Sequence, residues 1–212
     1  MRPMIFAAEE LTPYEPLPDE DRFVVVHGVE WKAYCELREL LDSPGVRMTY
    51  LKGALEIMSA SRRHEGYKTR IARLIELYAL ERDVPLIGYG STTFRQALAE
   101  RGLEPDECYV VARDMTDDEY PDIALEIVLT SGGINKLEVY RGLGMREVWF
   151  WHKGKFSLYC LVDSGYQLRE RSEFLPKLDL EELARFADQP NQHEALKAYR
   201  DAIRSTKASG MP

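Results

Sequence analysis

Two hydrophobic periods alternate along this chain, and the switches between them mark out its elements. From Ser61 to Arg82, Tyr67, Ile71, Leu74, Ile75 and Tyr78 recur at spacings of three and four, one buried stripe of a helix that Pro85 closes. "EWKAYCELRELLDSPG" has the same period and ends at Pro44-Gly45. Period-two segments fill the rest. "RFVVVHGV" predicts a short strand, and "VRMTYLKGALEIMS" a hairpin about Lys52-Gly53. "PLIGYGSTTFRQ" reads as a strand with glycine bends and "GLEP" as a turn. "DECYVVA" and "PDIALEIVL" read as strands on either side of the polar loop "RDMTDDEY". "GGINKLEVYRGLG" predicts a short helix ending at Gly144, and the following stretch a strand meander with turns at Lys153-Gly154 and Ser164-Gly165. Two C-terminal helices open on capping boxes, Asp179 with Glu182 and Asn191 with Glu194. The last carries a narrow stripe, Leu196, Tyr199 and Ile203, suited to packing on the domain or on a partner. The expectation is one α+β domain over 23–205 around a central sheet. A Pro- and acid-rich segment, 1–22, without regular structure precedes it, and a frayed tail, 206–212, follows.

One strand breaks its own pattern. In "PDIALEIVLTSGGINK" the odd residues Ile123, Leu125, Ile127 and Leu129 line a core face, while Asp122, Ala124, Glu126 and Val128 share the other. Buried carboxylates are costly without a partner. Asp122 and Glu126 lie ~13 Å apart along a strand, too far to share an ion. The preceding strand supplies a nearer candidate. A hairpin centred near Thr116 puts Asp106 opposite Glu126, with Cβ atoms ~4.5–5.5 Å apart, and puts Asp122 near Val110, toward the solvent-accessible loop, as a candidate for the border of the site. Lys136, ten residues past Glu126, falls in the first turn of the next helix, where it either reaches back to the carboxylates or points to solvent. Two carboxylates, a lysine and open water positions suit a hard cation such as Mg²⁺. Zinc is disfavoured: His27, His64, His152 and His193 are far apart and no Cys-x-x-Cys occurs. No P-loop, dinucleotide fingerprint or nucleophile elbow is present.

Composition narrows this little. With 212 residues, 45% hydrophobic and 30% charged, the chain reads as a soluble domain with no apolar run that could span a membrane. Three scattered cysteines and an N-terminus without a signal-peptide core point to the cytoplasm. The net charge of −8 argues against non-specific coating of nucleic acid. Locally, however, Arg62, Arg63, Lys68, Arg70 and Arg73 face only Glu65, which is either a solvated helix face or a phosphate-contacting one.

"YLKGALEIMSASRRHE", "GSTTFRQ", "RGLEPDECYVV", "PDIALEI", "NKLEVYRGLGMREVWFW" and "LPKLDLEELARF", in that order, resemble the Uma-type restriction endonuclease family of the PD-(D/E)XK nuclease superfamily, over about 23–203. The resemblance implies a restriction-endonuclease-like mixed sheet flanked by helices and a Mg²⁺-dependent (or Mn²⁺-dependent) phosphodiesterase site acting on DNA. Asp106 and Glu126 match its acidic pair and metal ligands. Val128 stands where the superfamily often has its lysine, and Lys136 matches the relocated lysine of relatives. Glu56, as a further metal ligand, and His64 match positions bordering the site. Read from pattern alone, Glu56 is an exposed hairpin residue and His64 a core histidine. The expected function is DNA phosphodiester hydrolysis, with a homodimer as the habit of such nucleases. The alternatives are an inactive nucleic-acid-binding relative and a structural homodimer.

Overall fold

The computed structural model describes residues 20–209 except 42, 44, 117, 118, 131 and 132. Most of the expected N-terminal segment, Pro44, part of the "TSGG" turn and the end of the tail lie outside the described residues.

A three-stranded antiparallel ribbon starts the fold. Strand β1 (Arg22–His27) and helix α1 (Trp31–Leu40) lead into β2 (Val46–Leu51) and β3 (Ala54–Ser59). The β2–β3 turn is the expected one: Lys52 and Gly53 take φ of 45° and 89°, the left-handed pair a two-residue hairpin requires. Helix α2 (Arg62–Glu81) follows, its first turn capped by Ser61, whose side chain accepts from the His64 N–H. "PLIGYGSTTFRQ" is not one strand. It splits into β4 (Leu86–Gly88) and β5 (Phe94–Gln96), which join different sheets, and the supposed turn "GLEP" begins inside β6 (Arg101–Leu103). Then come β7 (Glu107–Val111), β8 (Ile123–Ile127), α3 (Lys136–Leu143), β9 (Glu147–His152), β10 (Lys155–Val162), β11 (Gly165–Arg169), α4 (Leu180–Ala187) and α5 (Gln192–Ser209). Helix α5 continues to Ser209, into the expected tail.

The strands form two sheets rather than one central sheet. The first has the order β1-β3-β2-β6-β5 and the second β11-β10-β9-β8-β7-β4. The second is mixed, because β8 and β9 run parallel with α3 as their crossover. This architecture is an α+β fold of the restriction-endonuclease-like kind. On one face of the second sheet, Ile71, Leu74, Ile75 and Tyr78 of α2 meet Ile123, Leu125, Ile127, Trp149 and Trp151. Tyr199 and Ile203 of α5 join the same core, so the C-terminal stripe is spent within the chain and is not open to a second copy. The other face carries Ala124 and Val148 against Val139, Tyr140 and Leu143 of α3, with Phe94 and Leu103 from the first sheet behind them. Each such side chain contributes roughly 1.5–3 kcal/mol by leaving water. Covering on both faces leaves the even positions of β8 without solvent, and this places Glu126 in the interior.

Candidate active site

The β7–β8 register pairs Glu107 with Leu125, Cys108 with Ala124 and Tyr109 with Ile123. Extending it by one residue sets Asp106 opposite Glu126. The Asp106 N–H donates to the Leu125 carbonyl at 3.1 Å, and the Ile127 N–H donates to Asp106 Oδ2 at 2.7 Å, which fixes the carboxylate against the end of the ladder. Glu126 is held from α3. Asn135 caps that helix, so Lys136 is its first residue and Tyr140 lies one turn on along the same face. Lys136 Nζ lies 2.6 Å from Glu126 Oε2, and the Tyr140 hydroxyl donates to Oε1.

Two further carboxylates close the cluster. Glu56 of β3 is buried rather than exposed, and its Oε2 accepts the Ile134 N–H at 2.9 Å. The neighbouring Gly133 has φ +88° and leaves no room for a side chain: a Cβ there would lie 1.8 Å from Glu56 Oε2. His64 is fully buried between two acids. Its Nδ1 is 2.9 Å from Asp21 Oδ2, and its Nε2 is 2.9 Å from Asp106 Oδ1. The second contact is an ion pair with its N–H out of line, not an aligned hydrogen bond. His64 is thus both a core histidine and a neighbour of the acidic pair.

The charges explain one another. Burial alone would lower the His64 pKa, but Asp106 and Asp21 overcome it and hold the ring at about 9, protonated at neutral pH. Burial likewise opposes the Lys136 ammonium, and Glu126 and Asp106 outweigh it, keeping that amine charged. Asp106 stays below the usual carboxylate range because His64 and Lys136 offset its desolvation. Glu126 is pushed up, by burial first and by the Asp106 charge, in spite of Lys136.

The family model of Uma2, described as "Putative restriction endonuclease", matches residues 31–189. The chain belongs to the Uma2 family. No curated protein matches it. Among the described residues no helix is long and apolar enough to cross a membrane.

This Uma2 site fits a divalent cation by the chemistry of its donors. Ionised, Asp21, Glu56, Asp106 and Glu126 carry four negative charges against two positive ones, on His64 and Lys136. Burial first, and then the Asp106 charge, make Glu126 costly to ionise. All the donors are hard oxygens. Among the described residues no three His, Cys, Asp or Glu side chains gather closely enough to hold a metal by themselves. Mg²⁺ needs only one or two carboxylates with waters and a substrate oxygen.

The other sequence candidates lie elsewhere. Asp122 is buried rather than solvent-reached, and it does not border the site: it accepts from the Val111 N–H at 2.8 Å and pairs with Arg113 at 3.1 Å, clamping the far end of the hairpin. The basic segment of α2 divides. Arg70 donates to the carbonyls of Ala187 and Gln189, which ties α2 to the end of α4 instead of leaving it to phosphate. Lys68 pairs with Glu65 at 2.7 Å, while Arg62, Arg63 and Arg73 are exposed. Sequence reasoning missed Tyr140 and Asp21. Tyr140 could have been found from its spacing of four after Lys136. Asp21 precedes β1 in a segment without periodicity, outside the family-matched span, and carries no such signal.

Proposed function

We propose that the chain is a metal-dependent endonuclease that hydrolyses DNA phosphodiester bonds, with Mg²⁺ or Mn²⁺ held by Asp106 and Glu126 and flanked by Glu56. The observation that carries this reading is the opposition of Asp106 and Glu126 across the hairpin, with the Lys136 ammonium 2.6 Å from Glu126. When bound, such an ion lowers the pKa of a water and offsets charge on the phosphate.

The chain's own groups do the rest. Lys136 is kept cationic by its two acidic neighbours, so it can orient an attacking water or stabilise the extra charge on the phosphate oxygens. Tyr140 and Lys136 fix the two oxygens of Glu126, and the Ile127 N–H and His64 fix those of Asp106. Each carboxylate oxygen has a second lone pair left for a ligand. Val128, in place of the usual lysine, does not argue for an inactive relative, because Lys136 delivers its amine to the same carboxylate from α3. The test is incubation of purified protein with plasmid and with single-stranded DNA in Mg²⁺ or Mn²⁺, beside Glu126→Ala. Cleavage that depends on metal and disappears in the variant is expected. Equal cutting by both proteins, or none by either, removes the proposal.

A further inference from the structure

The acidic pair is buried, and Lys136, 2.6 Å from Glu126, lines the cavity beside it. Asp106 and Glu126 are 1% and 0% exposed, and the Lys136 side chain is 18% exposed. Lys136 opens into a cavity of about 350 Å³ between the edge of the first sheet and the β9–β10 face of the second. That volume is near the lower end of the roughly 300–1,000 Å³ usual for small-ligand pockets. A duplex is a stiff rod with its bases stacked inside and cannot enter such a space, whereas an unpaired strand can splay a base and its phosphate into it.

The walls have the chemistry for a base. Phe23 and Met58 line the cavity from β1 and β3, and Phe150 and Tyr159 from β9 and β10. Phe150 and Tyr159 meet edge to face, with centroids 5.9 Å apart. Phe23 is 37% exposed, a large aromatic ring left at the rim of a polar site. Aromatic faces of this kind hold bases of any sequence by stacking.

A second hollow continues the path. It shares Val128 and Leu129 with the first and is lined by Arg63, Tyr67 and Lys153. The Arg63 guanidinium lies 5.8 Å from the centre of the Tyr67 ring, and both Arg63 and Lys153 are exposed cations. In a chain of net charge −8, this is a local positive surface placed beside the acidic cavity.

We propose that the substrate class is single-stranded DNA: one unpaired base stacks in the cavity among Phe23, Phe150 and Tyr159, and the adjoining backbone crosses Arg63 and Lys153. This rests on the nuclease reading and narrows it. Binding is measured by fluorescence anisotropy with a short labelled oligothymidine and with a duplex of equal length. Ca²⁺ is present as a hard ion in place of Mg²⁺. The single strand is expected to bind at least about tenfold more tightly than the duplex. Phe23→Ala should weaken single-strand binding by roughly 5- to 150-fold. Phe23→Leu, which keeps an apolar side chain but removes the ring, should do the same, and it decides the matter if Phe23→Ala melts early. Removing Arg63 and Lys153 together should flatten the salt dependence by about 1.4 in log–log slope. Duplex binding as tight as single-strand binding, or a Phe23→Leu protein with unchanged affinity, overturns the proposal. Duplex cleavage by a protein that fails this test leaves the nuclease reading standing; tight single-strand binding without cleavage does the reverse.

Discussion

Glu126 on β8 and Glu147 on the neighbouring β9 are both completely buried, yet opposite chemistry surrounds them. Glu147 is filled by neutral donors: Trp149 Nε1–H at 2.9 Å, the Ser172 hydroxyl at 2.8 Å and the Glu173 N–H. Ser172 in turn accepts from the N–H groups of Phe174 and Leu175, so this glutamate anchors the segment leading to α4. Glu126 instead faces a cation and a second carboxylate, and that cation, Lys136, lines the neighbouring cavity. Burial of a carboxylate therefore does not mark a site. What separates the two is a surplus of negative charge at Glu126, where Glu147 has its donors met within the fold.

The sharpest way to break this contrast is a matched pair of variants. Glu126→Gln should lower cleavage by about a hundred- to a thousandfold; it removes one charge from a site with a negative surplus, and the Tyr140 hydroxyl can turn to accept from the new amide, so the melting temperature should change little. Glu147→Gln should do the opposite. Its amide cannot accept from all of the donors now aimed at it, so it should cost about 2–3 kcal/mol and leave the rate within a few-fold at a temperature where both proteins are folded. Kinetics and thermal melts on the two proteins check this, and a Glu147→Gln protein that is stable but inactive would erase the distinction.

A second prediction uses pH. In the folded chain His64 titrates at about 9 against an ordinary 6.5, so the proton is bound more tightly in the native state. Its contribution, on the order of 3 kcal/mol, is full below pH 6.5 and drains as pH rises through about 9. Melts of metal-free protein across that window should show a fall that His64→Gln lacks.

The smallest effects separate the two halves of the basic segment. Arg70→Ala should cost about 1–2 kcal/mol of stability, because it strands two carbonyls at the α2–α4 contact, and should leave DNA affinity unchanged. Arg63→Ala should cost less stability than Arg70→Ala and reduce the salt slope of binding by about 0.7.

Much of the site was legible in the alternation of one strand. The parity of residues 122–129 and the length of the loop to β7 set Asp106 opposite Glu126, and the register agrees residue for residue. Gly144 and the "NK" start of α3 put Lys136 where its chain could return. Asp122 was misread because loop proximity suggested water, whereas Arg113 and a backbone N–H cover it. The split of "PLIGYGSTTFRQ" was hidden because each three-residue strand is too short to show a period, and partners far along the chain decide its sheet. Asp21 was invisible for a related reason: its place depends on a histidine more than forty residues away and on no local pattern.

The central claim is that Asp106 and Glu126 form a divalent-cation site while the equally buried Glu147 does not. Calorimetric titration of Mn²⁺ into the wild-type chain, Glu126→Gln and Glu147→Gln tests it directly. The account predicts binding to the wild type and to Glu147→Gln, and loss of that heat in Glu126→Gln. Equal heats from the wild type and Glu126→Gln would contradict it.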